Sequence, residues 1–169
     1  SIGSRDPGRY VLPAQRDLAA AHVARLQAAG RLAMVQPYVP SVDSYGETGL
    51  IYLGGAYSHA IRKGPLLSGP DPALQGDGGS ALYVEEEITA RTPTEAEQAV
   101  AEATLRALPF DPAQLLYARV DLLDTPDGPT LIELELTEPS LFVGTAPGAP
   151  ERFAAAVARR LAARRGGQA

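Results

Sequence analysis

The residues best placed to do chemistry are Arg119 and Asp121, in the run Leu115 to Leu123, and Glu133 and Glu135, in the run Thr130 to Thr137. Side chains two apart on a strand share a face. The connector Asp124-Thr125-Pro126-Asp127-Gly128-Pro129 is rich in turn formers, so the two runs are expected to pair as an antiparallel hairpin. With the turn centred near Asp127, Asp121 falls opposite Glu133 and Arg119 opposite Glu135. Three carboxylates and one guanidinium then share a face. Two carboxylates about 4 Å apart repel by roughly 1 kcal/mol in water and by several times more at a partly dry surface. A fold that gathers three of them calls for protons or a cation. Oxygen ligands in a chain with no cysteine and only two histidines suit magnesium, which keeps waters and phosphate oxygens in its shell. Asp121, Glu133 and Glu135 are therefore candidate ligands of a magnesium-nucleotide site, with Arg119 offsetting part of their charge. The plain alternative is that the acids alternate with Ile132, Leu134 and Leu136 because the strand has a wet face and a dry one.

A second group, Glu47, His59, Arg62 and Lys63, surrounds Gly54-Gly55. Arg62 and Lys63 point to opposite faces if the strand persists, so one of them could reach a phosphate. His59 is expected to be a partly buried, hydrogen-bonded histidine rather than a zinc ligand. Near the start, Gly3 and Gly8 could turn backbone N–H groups toward phosphates, or simply form a surface turn.

The elements that must position these groups follow from the local pattern. Ser1 to Tyr10 reads as a loop, and Asp17 to Ala29 as a helix stopped by Gly30. Leu32 to Val39 reads as a short edge or hinge strand, interrupted by Pro37 and Pro40. Gly49 to Leu53 and Ala56 to Arg62 form a hairpin about Gly54-Gly55, a pair that permits a tight turn. Ser68 to Ser80 reads as a loop and Ala81 to Ile88 as an extended segment. Thr92-Pro93-Thr94-Glu95 reads as a capping box that opens a helix running to about Leu108, and Pro150 opens a last helix ending at Gly166-Gly167. Helices and antiparallel strands in this order indicate an α+β class, an antiparallel sheet with flanking helices.

Composition narrows the function classes. The chain has 169 residues, 45% hydrophobic and 21% charged, within ordinary globular usage and the size of one domain. No apolar stretch approaches the roughly 20 residues a membrane helix needs, and no secretory leader opens the chain, so the cytoplasm is the expected compartment. The net charge of −5 argues against nucleic acid, and the cluster Arg159, Arg160, Arg164 and Arg165 reads as a solvated helix end. A homo-oligomer is left open.

In this order, Ser1 to Tyr10, Val35-Gln36-Pro37-Tyr38-Val39, Glu47 to Lys63, Arg119-Val120-Asp121 and Leu131 to Leu141 resemble the C-terminal, nucleotide-binding part of the ATP-grasp superfamily. The combination of Ser58-His59-Ala60-Ile61-Arg62-Lys63-Gly64-Pro65 with Leu134-Glu135-Leu136-Thr137-Glu138-Pro139-Ser140-Leu141 is most similar to the glutathione-synthetase-like branch that contains the cyclo-ligase of D-cycloserine biosynthesis. The resemblance implies that Gly3 and Ser4 belong to a phosphate lid, that Gln36, Pro37, Tyr38 and Val39 form the adenine hinge, and that Glu47 lies among the nucleotide contacts. It implies that Lys63 or Arg62 meets phosphate, with Arg119 assisting catalysis, and that Asp121, Glu133 and Glu135 hold magnesium. Many members carry Asn where Glu135 stands. The implied reaction uses ATP and magnesium to convert a carboxylate to an acyl phosphate that an amine attacks, with no protein nucleophile. Its partners are ATP and small carboxylate and amine substrates. A lysine-bearing strand and further domains are expected upstream, with 1–33 as lid loop and helix and 34–169 as sheet, acidic hairpin and terminal helix. A non-catalytic nucleotide- or metal-binding module is the competing reading.

Overall fold

The computed structural model describes residues 7–65 and 87–166, and these fall into two units, 40–64 with 87–166, and 7–39 with Pro65. The expected lid residues Gly3 and Ser4, and most of the extended segment Ala81 to Ile88, lie outside the described residues.

In the smaller unit, helix α1 (Arg16–Ala28) has Asp17 in its first turn and Arg25 in its last, each favourable toward the helix dipole. Gly30 takes φ +71° beyond its end, and the N–H groups of Gly30 and Arg31 close on the carbonyls of Gln27 and Leu26, a Schellman stop. His22 and Leu26 are buried, and the Tyr10 hydroxyl lies 2.8 Å from His22 Nδ1. The strand expected over Leu32 to Val39 does not form: the segment has no regular structure, and Leu32, Met34 and Val35 are exposed. An extended apolar run needs a neighbouring strand to satisfy its backbone, and Pro37 within this one and Pro40 directly after it have no N–H to donate.

The larger unit is built on a five-stranded antiparallel sheet, in the order β3-β2-β1-β4-β5. The strands are β1 (Glu47–Leu53), β2 (Ala56–Lys63), β3 (Ile88–Arg91), β4 (Tyr117–Thr125) and β5 (Gly128–Glu135). Gly54 and Gly55 take φ +61° and +78°, so the first hairpin turns as its sequence requires. Strand β1 is central, which explains why its apolar residues run consecutively: Leu50 and Tyr52 face one side and Ile51 and Leu53 the other, all buried. Helix α2 (Glu95–Arg106) lays Ala101 and Leu105 against Leu50, Tyr52, Val120 and Leu122. Helix α3 (Ala149–Gly166) brings Phe153 and Ala156 against Ile51, Leu53 and Ile61 on the opposite face. Each fully buried Leu, Ile or Val among them contributes about 1.5–3 kcal/mol by leaving water.

The cap of α2 corrects the expectation from Thr92. It is Thr94 whose hydroxyl accepts from the Glu97 N–H at 3.1 Å, while Glu97 Oε2 accepts from the Thr94 N–H at 2.7 Å. Two overlapping Thr-x-x-acid frames existed, and the one chosen buries Glu97 where Thr48 can also reach it. No helix among the described residues is long and apolar enough to cross a membrane.

Candidate functional site

Helix α3 covers only part of its face of the sheet. Beyond it, the same face carries Glu47, Lys63, Arg119, Asp121, Glu133 and Glu135. The expected register of the last hairpin is the observed one: Arg119 pairs with Glu135 and Asp121 with Glu133, with a bulge directly after Asp121. Because β1 lies between β2 and β4, it also brings the two hairpins together. Lys63 pairs with Glu47, Gly49 with Asp121, and the ammonium reaches diagonally across Gly49.

Asp121 is fully buried and sits at the centre. Arg119 Nε donates to Oδ1 at 2.9 Å and Nη2 to Oδ2 at 2.9 Å, a forked pair, while Lys63 Nζ lies 3.2 Å from Oδ2. Lys63 also donates to Glu47 at 3.1 Å. Arg119 Nη2 lies 2.6 Å from Glu135 Oε2 and 3.6 Å from Glu133 Oε2. Burial alone would depress both cations, yet Asp121 and the neighbouring glutamates outweigh it and raise Lys63 and Arg119 above their ordinary values. Both stay charged at any physiological pH.

Among the described residues the face is still short of positive charge. Glu47, Asp121, Glu133 and Glu135 bring four negative charges against two from Lys63 and Arg119, an excess of two. The strain shows on Glu133, the most exposed of the acids bound by Arg119: partial burial, then repulsion by Asp121 and Glu135, raise its pKa above the ordinary carboxylate value. Glu135 Oε2 is buried against Arg119 without the alignment of a directional hydrogen bond. A divalent, oxygen-seeking cation fits this donor set in charge and hardness. Among the described residues, however, no three His, Asp or Glu side chains form a ready metal cage. The acids converge on Arg119 and Lys63 rather than on a common centre, and the oxygens of Asp121 are already engaged.

The remaining candidates are placed differently. Arg62 leaves on the opposite face from Lys63, donating to the carbonyls of Tyr45 at 3.0 Å and Ser44 at 3.4 Å, with Glu87 at 3.6 Å. His59 is buried and hydrogen-bonded at both ring nitrogens, as expected. Gln36, Pro37, Tyr38 and Val39 belong to the smaller unit, where the Arg9 guanidinium stacks 3.6 Å over the Tyr38 ring.

Sequence reasoning missed two supports. One is Gly49: a Cβ there would lie 2.9 Å from Asp121 Oδ1 and 3.2 Å from the Ile61 side chain, so glycine leaves the room that Asp121 fills. The other is a buried knot on the α2 side, in which Arg91 donates to Thr48 Oγ1 at 2.7 Å and Thr48 donates to Glu97. Burial would raise Glu97, but hydrogen bonds from Thr48 and from the Thr94 N–H and hydroxyl, with the Arg91 charge, hold it below the usual carboxylate value. Nothing in one strand's alternation reveals either feature, since each needs the neighbouring strand; the second Thr-x-x-Glu frame was the one legible clue.

No family model matches the chain. It is 42% identical over 166 residues to the cycloserine biosynthesis protein DcsG of Streptomyces lavendulae, across 94% of this chain and 52% of that protein. The crystal structure of D-cycloserine synthetase DcsG matches the fold with a TM-score of 0.68 at 38% identity, covering 88% of this chain and 49% of that one. The chain is homologous to DcsG and spans about half of its length.

Proposed function

We propose that this chain is the nucleotide- and metal-binding part of an ATP-grasp ligase that uses ATP and magnesium to join a carboxylate to an amine through an acyl phosphate, as an amino-acid ligase or cyclo-ligase. The observation that carries the reading is the excess of negative charge among the described residues of the sheet face, four carboxylates against Lys63 and Arg119, at positions where the sequence resembles the ATP-grasp superfamily. Homology to DcsG, a biosynthesis protein named for D-cycloserine synthesis, supports the amino-acid substrate class.

In this reading Glu133 and Glu135 hold magnesium, and Asp121 stands behind them. Magnesium, when bound, would screen the phosphate oxygens and steady the charge that develops during phosphoryl transfer. Asp121 keeps Arg119 and Lys63 charged and aimed. Lys63, on the metal face, is the phosphate contact; Arg62, bound to the carbonyls of Tyr45 and Ser44, supports the segment before β1. Gly3 and Ser4 as lid, and Gln36 to Val39 as adenine hinge, rest on the resemblance alone. Catalysis is then positioning and charge neutralisation, without a covalent enzyme intermediate.

The test is ADP release by the full-length protein with magnesium-ATP across a panel of amino acids, with hydroxylamine added to trap an activated carboxylate as hydroxamate. The reading requires hydroxamate and ADP in step, and a loss of at least a hundredfold in Glu133→Gln and Lys63→Met. Magnesium-dependent ATP binding without ADP release would replace it with the non-catalytic module.

A further inference from the structure

We propose that His59 is a positioning residue for the acidic site, holding segment 138–142 so that Arg119 and Glu135 keep their places; the inference rests on the ligase reading above. His59 pairs with Ile51 on β1, and Ile51 pairs with Arg119 on β4, so imidazole and guanidinium lie in one row on one face of the sheet. From that row they grip successive carbonyls of the segment that leaves β5. Arg119 Nη1 donates to Ser140 O at 3.2 Å, and His59 Nε2 lies 2.8 Å from Leu141 O.

The direction of each bond follows from chemistry. A carbonyl only accepts, so Nε2 carries the hydrogen. The Arg152 Nε–H donates to Ser58 Oγ at 2.9 Å, and Ser58 Oγ lies 2.9 Å from His59 Nδ1. In a neutral ring Nδ1 accepts the Ser58 hydroxyl hydrogen, and the chain runs one way, from Arg152 to Ser58 to His59 to Leu141. Burial pushes the His59 imidazole below its ordinary value, which agrees with the neutral ring. The arrangement fixes one tautomer and one ring orientation.

The gripped segment needs holding. Glu138 and Phe142, at its two ends, both take left-handed backbone angles, φ +51° and +45°, which non-glycine residues rarely adopt unless their surroundings enforce them. The guanidinium that holds Ser140 also carries Asp121 and Glu135. A segment free to shift would therefore pull on the cation that sets the site, and His59 is the second anchor preventing it.

The test compares His59→Gln, whose amide can still donate toward Leu141 O, with His59→Phe, which cannot. In the full-length protein, His59→Phe should lower kcat at least tenfold with the KM for magnesium-ATP changed less than twofold, and His59→Gln should restore kcat to within threefold. Independently of turnover, the Arg119 Nε–H resonance should shift in His59→Phe and stay near its wild-type position in His59→Gln. Should His59→Phe fail to fold, Ser58→Ala removes the donor to Nδ1 and should move the same resonance and reduce the Nε2–H tautomer seen in the imidazole nitrogen spectrum. An unmoved Arg119 signal, or a wild-type ring in the Nδ1–H tautomer, overturns the positioning role. Absence of ligase turnover in the wild type, with the Arg119 response intact, would overturn the ligase reading instead.

Discussion

Lys63 on β2 and Asp121 on β4 belong to strands that do not touch, yet their charged atoms lie 3.2 Å apart across Gly49. The contact joins the first hairpin to the last. It depends on a residue without a side chain in the strand between them.

Gly49→Ala should therefore be felt at both hairpins. Its methyl group would meet Asp121 Oδ1 at 2.9 Å and Ile61 at 3.2 Å, with packed sheet on either side. Overpacking of this kind costs about 1–3 kcal/mol. Urea unfolding should show a lowered midpoint with an unchanged slope; an unshifted midpoint would mean that the Asp121 side chain has room the structure does not show.

Asp121→Asn keeps volume but leaves Arg119 and Lys63 buried without their shared anion. Removing one partner of a buried ion pair costs about 3–5 kcal/mol. The same urea experiment should place Asp121→Asn well below Glu133→Gln, because Glu133 is half exposed and meets Arg119 only at 3.6 Å. Equal midpoints for the two variants would count against Asp121 as the centre of the network.

Glu133→Gln should behave differently, and its effect should depend on pH. Partial burial, then Asp121 and Glu135, raise the Glu133 pKa in the folded chain. A raised folded pKa means that the protonated form is favoured by folding; that stability is present below the unfolded value near 4.3 and is lost as pH rises through the folded value. At neutral pH without magnesium, the charged Glu133 is thus a burden, and Glu133→Gln should melt above the wild type. The gap should close as the solution is acidified toward pH 4. Added magnesium should raise the wild-type midpoint more than that of the variant, if the cation binds here. A variant that melts lower at every pH would refute the charge imbalance.

Glu97 works in the opposite sense. Its hydrogen bonds outweigh burial and hold its pKa down, so the stability it supplies is present above the unfolded value and disappears as pH falls through the folded one. Hydrogen bonds to a charged group contribute about 1.5–3 kcal/mol each. Glu97→Gln should lower the thermal midpoint at pH 7 and flatten the acid side of the stability curve, as read by calorimetry between pH 3 and 7. A variant curve parallel to that of the wild type would assign the effect to shape rather than charge.

The hairpins were legible because their turns and their two-residue periods are local. Gly54-Gly55 and the connector Asp124 to Pro129 marked the reversals; the turn closes between Thr125 and Gly128 rather than about Asp127, and the bulge after Asp121 takes up the difference, so that Arg119 meets Glu135 and Asp121 meets Glu133. Whatever depended on strand order was not legible. The opposite faces of Arg62 and Lys63 followed from alternation, but only the placement of β1 between β2 and β4 makes Lys63 the one that meets Asp121 and makes Gly49 necessary. Leu32 to Val39 shows the converse: an apolar run reads as a strand, but the segment takes no regular structure. The cap of α2 moved from Thr92 to Thr94 because tertiary contact with Thr48 chose between two equivalent local frames.

Among the described strands, β4 is hydrogen-bonded on both sides whereas β5 has one neighbour and ends at Glu135. The two walls of the charged face therefore differ in stiffness. Arg119 and Asp121 stand on a strand paired along both edges. Glu133 and Glu135 stand on a strand paired along one edge, and outer strands as a class open locally more readily than central ones. A cation bound between the two walls would meet one backed by two neighbouring strands and another backed by one, the two tied together where Arg119 meets Glu135 and the carbonyl of Ser140.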